Sequence, residues 1–366
     1  MKILVDAHVF DGKFQGSRTY IKGLYSALIS KQKDWKFYFA GYDVSVLKKE
    51  FGEGKNTHYI QLKNRNKLVR LFYEFPQIIK RLKIDFSHFQ YISPLIKRGK
   101  YIVTTHDILF EEKRFSHFFP KKYKLINGTF FKHSAKKADV LLTVSTYSQQ
   151  KISELYNIAK DDIHITPNAV AQLDEKTTKD NHIKEEYGIE KYLLYVSRIE
   201  PRKNHIAILK AFINLKLHTK GYKVVFIGKQ DINDPELDTY IKEHNKILNE
   251  HLVQFPNVSG IALQKFYANA ACVVYPSFAE GFGIPPLEGA VYGSKVLCSN
   301  ATAMQDFTFF KYHIDPYNQK EIEESLCKLL EHEDVNIEKT RSLILEKYTW
   351  EKSAEVFVKA VSNKVY

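Results

Sequence analysis

The chain is 366 residues long, 44% hydrophobic and 14% aromatic, with a formal net charge of +13. That length exceeds one typical core and suits two domains, and the apolar fraction excludes a disordered chain. No apolar run approaches the roughly 18 residues that cross a bilayer. The opening MKILVDAHVFDG reads as a first strand and not as a signal peptide. Three cysteines (Cys272, Cys298, Cys327) lack metal-ligand spacing and read as reduced thiols of a cytosolic protein.

The charge is unevenly placed. Residues 1–170 hold 30 Lys and Arg against 15 Asp and Glu, a net of +15, which leaves −2 for residues 171–366. The basic residues crowd into KNRNKLVR (63–70), KRLK (80–83), KRGK (97–100) and the segment 120–137, with Phe72, Tyr73, Phe75, Tyr123, Phe130 and Phe131 among them. Such a face fits an anionic partner: a membrane surface, a lipid pyrophosphate or nucleic acid. It fits a merely solubilising surface equally well. No recognisable nucleic-acid reader motif accompanies it, so no nucleic acid is expected.

In chain order, KILVDAHV (2–9) opens a series of β-branched and aromatic runs. KFYFAGY (36–42), THYIQL (57–62), YIVTTHD (101–107), VLLTVS (140–145) and IHITPN (163–168) continue it. Amphipathic stretches such as TYIKGLYSALIS (19–30) lie between them. After a polar segment at 171–191, read as a linker, YLLYVS (192–197), KVVFIG (223–228), ACVVYPS (271–277) and KVLCSN (295–300) repeat the alternation. Strands alternating with helices predict an α/β chain of two doubly wound, Rossmann-like domains, 1–172 and 173–349, facing each other across a cleft. Ligands of such folds bind beyond the carboxyl ends of the strands, so the loops there carry the chemistry.

Four such loops stand out. DGKFQGSRTY (11–20) places Gly16 before a helix, where a phosphate could approach, although a plain turn glycine serves as well because no GxGxxG is present. His106 and Asp107 end a strand, as an active-site pair or as a capping Asp beside an ordinary His. YVSRIEPRKNH (195–205) brings Arg198, Arg202 and Lys203 to a turn that opens a helix, the chemistry of a diphosphate clamp. FAEGFGIPPLEGA (278–290) sets Glu280 and Glu288 around Gly281, Phe282, Gly283 and two prolines. Pro285 or Pro286 falls in a first helical turn and Glu288 about one turn later, so two carboxylates converge on a ligand rich in hydroxyls.

AEGFGIPPLEGA resembles the paired-glutamate signature of the retaining nucleotide-sugar glycosyltransferases of family four, which have the GT-B fold. VSRIEPRKN resembles that family's G-R-x-x-x-x-K loop, TTHD its histidine loop, and ADVLLTVSTYSQQKI (138–152) and ITPNAV (165–170) its strands before the domain crossover. The likeness covers nearly the whole chain and is greatest to bacterial mannosyltransferases of lipopolysaccharide or capsule synthesis.

The resemblance implies an acceptor-binding first domain, a nucleotide-sugar-binding second domain, and a C-terminal helix, about 350–366, crossing back to the first. It implies that Arg198 and Lys203 hold the donor diphosphate and that Glu288 binds the ribose. Glu280, with the main chain of Gly281, Phe282 and Gly283, would lie by the transferred sugar. His106 would contact that sugar, and Gly16 would approach the diphosphate. It further implies retention of configuration by front-face attack, since no covalent nucleophile stands out. Ser197 and Arg18 depart from the family's glycines, and NATAMQD (300–306) only loosely follows its S-S-L-P-E segment. No Asp-x-Asp occurs, so transfer is expected to need no metal and no cofactor, with fixed cations and helix dipoles neutralising the leaving group.

The expected partners are a nucleotide sugar, GDP-mannose first and a UDP-linked N-acetylglucosamine or glucose second, and a lipid-linked or oligosaccharide acceptor. An anionic membrane surface would meet the basic first domain, placing the protein in the cytoplasm on the inner face of the membrane. A nucleic-acid-binding protein is the alternative from another class. A phosphorolytic relative of the fold is less favoured, since no pyridoxal-type lysine motif is visible.

Overall fold

Ile3, Leu4 and Val5 are all fully buried, so the first strand is covered on both faces, as the central strand of a doubly wound sheet must be. The computed structural model describes residues 1–12, 16–170, 182–331 and 336–365. The chain forms two compact units, Met1–Ala169 with Tyr348–Tyr366, and Val170–Lys347.

The first unit contains β1 (Lys2–Asp6), β2 (Lys36–Gly41), β3 (Thr57–Gln61), β4 (Phe86–Gln90), β5 (Lys100–Thr104), β6 (Val140–Thr143) and β7 (Ile163–Ile165). Their order is β3-β2-β1-β4-β5-β6-β7, and every pairing is parallel. Alternation along the strands sends neighbours to opposite layers. Leu4, Phe89, Val103 and Leu141 join a core with Phe75, Ile78, Phe131 and Ile152. His88 instead meets Tyr25 on the Gly16–Lys31 helix. The C-terminal helix, Trp350–Ser362, packs on that same helix at Gly23, where an added Cβ would stand 1.9 Å from the Trp350 indole. Only glycine admits the tryptophan.

The second unit contains β8 (Lys191–Val196), β9 (Tyr222–Ile227), β10 (Leu252–Phe255), β11 (Cys272–Tyr275), β12 (Val296–Ser299) and β13 (Tyr312–Ile314), again all parallel, in the order β10-β9-β8-β11-β12-β13. The strand order reverses direction between β1 and β4 in one sheet and between β8 and β11 in the other. Those switch points are where such sheets open a ligand crevice.

Three strands, β4, β10 and β13, are absent from the sequence reading. The polar segment read as a linker falls at 171–181 outside the described residues, and its remainder is helical at His182–Tyr187 before β8 begins. Among the described residues no helix is long and apolar enough to cross a membrane.

Candidate active site

In the second unit, β8 and β11 deliver the two loops singled out in the sequence to one place. After β8 the chain turns through a short 3-10 segment, Pro201–Lys203, and Asn204 enters the His205–Asn214 helix in the left-handed region (φ 57°). The Asn204 amide holds that turn by donating to the Pro276 and Pro316 carbonyls at 3.2 and 3.1 Å. The Tyr195 hydroxyl donates to the Lys203 carbonyl at 2.6 Å. The β11 loop is tied in turn by Phe278 N–H donating to the Arg202 carbonyl at 3.0 Å.

Glu280 is buried where these loops meet. Lys203 Nζ lies 2.5 Å from its Oε1 and Arg202 Nη1 3.2 Å from its Oε2. The Tyr275 hydroxyl donates to Oε1 at 3.0 Å, and the Glu280 N–H donates to Thr302 Oγ1 at 2.8 Å. Burial alone would raise the Glu280 pKa, but Lys203 and Arg202 outweigh it and hold the carboxyl at about 2, so it is ionised. Arg202 also donates to the Glu200 carboxylate at 2.5 Å and to the Ala279 carbonyl. Arg198 differs from the other two cations: its side chain is 58% exposed, paired with Asp231 and 3.9 Å from Glu200. Three cations and three carboxylates thus balance, and Arg198 is the one that solvent reaches.

Beyond Glu280 the main chain passes through Gly283 (φ 100°), where a Cβ would stand 2.9 Å from Met304 Cγ. The Ile284–Val291 helix begins there with proline in its first turn. Phe282 is buried edge-on to Phe307. Glu288 sits partly buried on that helix. Its Oε2 accepts from the Tyr267 hydroxyl at 2.8 Å, and its Oε1 has no partner among the described residues. Burial raises the Glu288 pKa against the lowering pull of that hydrogen bond. The half-satisfied carboxylate is a ready acceptor for a ligand hydroxyl.

The first unit carries His106, buried after β5. Burial pulls its pKa down to about 4, so the ring is neutral at pH 7. Its Nε2 is 2.7 Å from Gln90 Oε1, and Tyr20 meets it edge-on at 4.9 Å. The Gln90 amide donates to His88 Nε2 at 3.2 Å. His88 Nε2 also lies 2.8 Å from Thr104 Oγ1, and its Nδ1 lies 2.7 Å from Tyr25 Oη. Gln90 Oε1 therefore receives the His106 Nε2–H, and the lone pair of His106 Nδ1 has no partner among the described residues. Asp107 accepts from the Leu109 N–H at 3.3 Å, a local cap. Gly16 begins its helix with nothing within 4 Å of an added Cβ, so space does not demand glycine there. Arg18 is tied to Glu50 at 2.8 Å.

Sequence reading did not single out Gln90, Tyr267 or Tyr275, nor the role of Arg202 as a second cation on Glu280. Gln90 lies on the unread strand β4, and the tyrosines lie among ordinary apolar neighbours. Among the described residues no group of three or more His, Cys, Asp or Glu could hold a metal ion.

Two all-parallel doubly wound units, the second with its charged loops at the switch point, define the GT-B class of fold. Solved structures agree: the Anabaena protein HepE, determined in complex with UDP-glucose, superposes with a TM-score of 0.74 at 13% identity, covering 99% of this chain and 100% of that one. The family described as Glycosyltransferase Family 4 matches residues 15–171, and that described as Glycosyl transferases group 1 matches 176–350. The chain belongs to the family-four glycosyltransferases. It is 31% identical over 179 residues to O-antigen chain mannosyltransferase B of Escherichia coli, covering 47% of this chain and 46% of that protein. To O-antigen chain mannosyltransferase RfbU of Salmonella typhimurium it is 27% identical over 228 residues, covering 60% and 57%. The chain thus spans about half the length of these curated relatives.

Proposed function

We propose that the protein is a retaining, metal-independent glycosyltransferase of cell-surface glycan synthesis. It moves a sugar from a nucleoside-diphosphate donor to a lipid-linked or polysaccharide acceptor. The observation that carries this reading is the meeting of Lys203, Arg202 and Glu280 at the second unit's switch point, with the half-free carboxylate of Glu288 on the next helix. GDP-mannose is the first donor assigned, because the relatives above are named mannosyltransferases. A UDP-linked sugar is the second, because HepE was solved with UDP-glucose.

Glu288 Oε1 accepts from a ribose hydroxyl. Arg198, the exposed cation, exchanges Asp231 for the diphosphate, and Lys203 neutralises the charge that develops as the phosphate leaves. Each preorganised group of this kind typically lowers the barrier by about 3–4 kcal/mol. Glu280, kept ionised, faces positive charge that develops on the sugar, and the main chain of Gly281, Phe282 and Gly283 lines the same stretch. Gly16 is assigned to the approach of the diphosphate. His106 stays neutral and offers Nδ1 to a sugar hydroxyl. The leaving phosphate takes the proton of the attacking hydroxyl on the same face, which retains configuration.

The first unit takes the acceptor and meets an anionic bilayer, which places the protein on the cytoplasmic face of the membrane. The Lys121–Lys137 helix supports this: Lys121 and Lys122 are exposed beside Tyr123, Leu125 and Ile126, and Leu125 is 78% exposed. Lysines flanking bare apolar side chains suit a headgroup layer.

One experiment tests the reading: anionic vesicles carrying a bacterial lipid extract, labelled GDP-mannose or UDP-sugars, and EDTA. Label is expected in the lipid phase, with the protein floating at low salt and releasing at high salt. No transfer from any donor, together with salt-dependent DNA binding, would replace the reading by the nucleic-acid alternative.

A further inference from the structure

The first unit's own switch point, between β1 and β4, holds a cluster that the reaction described above does not use. Asp6 ends β1 and is buried. His8, two residues on, is one-third exposed, and its Nδ1 lies 2.7 Å from Asp6 Oδ1 while its backbone N–H donates to the same oxygen at 3.2 Å. Arg70 approaches the other carboxylate oxygen, with Nε 3.8 Å from Oδ2. Its guanidinium is almost wholly buried, yet Nε has no hydrogen-bond partner. Arg70 opens a π-helical turn, Arg70–Glu74, between Lys67–Val69 and Phe75–Leu82, and single π turns inside helices recur at functional sites.

The chemistry of this cluster is directional. Burial alone would raise the Asp6 pKa, but His8 and Arg70 bring it below the ordinary range, so Asp6 is a fixed anion. Whenever the imidazole is neutral, an ionised carboxylate at 2.7 Å takes its Nδ1–H, which fixes the tautomer and leaves Nε2 with its lone pair. Nε2 lies across the ring from Asp6 and has no partner among the described residues. A one-third-exposed imidazole held by its carboxylate at the carboxyl end of a switch-point strand, with Arg70 behind that carboxylate, offers Nε2 to a hydroxyl of a sugar.

We propose that His8, held by Asp6 and Arg70, is the saccharide subsite of the acceptor: His8 Nε2 accepts from an acceptor hydroxyl. This rests on the reading that the first unit takes the acceptor. His8 touches the acceptor, whereas Asp6 and Arg70 act through it as positioning residues.

The test is histidine side-chain NMR on the full chain, with the His8 signal assigned by its loss in His8→Gln. The probes are octyl α-mannoside, octyl β-glucoside and octyl β-N-acetylglucosaminide. The free protein is expected to show His8 as the Nδ1–H tautomer, with a saturable shift on addition of at least one glycoside. Asp6→Asn, with its other histidine signals in place, is expected to lose the tautomer preference and to weaken that binding about tenfold, the effect of one good hydrogen bond. No movement of the His8 signal with any of the three glycosides overturns the proposal, as does unchanged affinity in Asp6→Asn. Nucleotide binding, measured separately by thermal shift, keeps the two claims apart. Glycoside binding without nucleotide binding preserves this subsite and removes the transferase reading; the reverse outcome does the opposite.

Discussion

Replacing Glu280 by alanine is expected to destabilise the second unit by about 3–5 kcal/mol, the usual cost of stripping one partner from a buried ion network. Inside a buried site, Lys203 Nζ at 2.5 Å would lose its carboxylate, and Arg202 Nη1 at 3.2 Å would lose one of its two, Glu200 remaining. Urea unfolding at pH 7 reads the loss directly. The pH dependence carries the same signature. Because the folded Glu280 pKa is depressed from 4.5 to about 2, its contribution is complete above pH 4.5 and fades as pH falls towards 2. The stability gap between wild type and Glu280→Ala should therefore shrink over that window. A gap that stays constant there, or one below about 1 kcal/mol at pH 7, would show that the network does not hold these loops.

The second large effect is expected from a residue that touches no charge. Gly228 follows β9 at φ 150°, and an added Cβ would stand 1.9 Å from the Ser197 carbonyl oxygen and 3.1 Å from the Arg198 nitrogen. The backbone there is the loop that carries Arg198, pinned by Ser197 N–H donating to Ile227 at 3.0 Å and Ile199 N–H to Lys229 at 2.9 Å. Since the obstacle is main chain, it cannot swing aside as a side chain can. Backbone strain and overpacking together put Gly228→Ala at roughly 2–6 kcal/mol, with the clamp turn displaced. Gly260→Ala is the control: nothing lies within 4 Å of its Cβ and its φ is ordinary, so stability should hold or rise slightly. Equal melting of the two variants would contradict the packing described.

Much of this was legible in the sequence, for identifiable reasons. Strands such as KVVFIG are covered on both faces and read as continuous apolar runs, so the α/β alternation and the GT-B expectation hold in the structure. β4 hid because its Ser87, His88 and Gln90 are polar yet buried, and the partners of His88 and Gln90 (Tyr25, Thr104 and His106) lie on other elements that no local pattern reveals. β10 and β13 are short edge strands of four and three residues, too brief for periodicity to register. At the site, Glu280 and Glu288 announced themselves through the glycines and prolines between them. What the sequence could not show was which cation each acid meets. Arg198 and Lys203 share one turn, yet one is open to solvent and the other sealed against Glu280, with Arg202 as the second buried cation. Asp6, His8 and Arg70 were invisible for the same reason: the guanidinium arrives from a distant helix through the β1–β4 switch point.

The second unit is expected to bind a nucleoside diphosphate through Glu288 and the cations after β8. Thermal unfolding with GDP, UDP and ADP in EDTA, on wild type and on Glu288→Ala, tests it most directly. At a hundred times its dissociation constant the right nucleotide should stabilise the wild type by about 2.7 kcal/mol, and clearly less in the variant. If none of the three nucleotides stabilises the wild type, or if Glu288→Ala responds equally, the assignment of this site is contradicted.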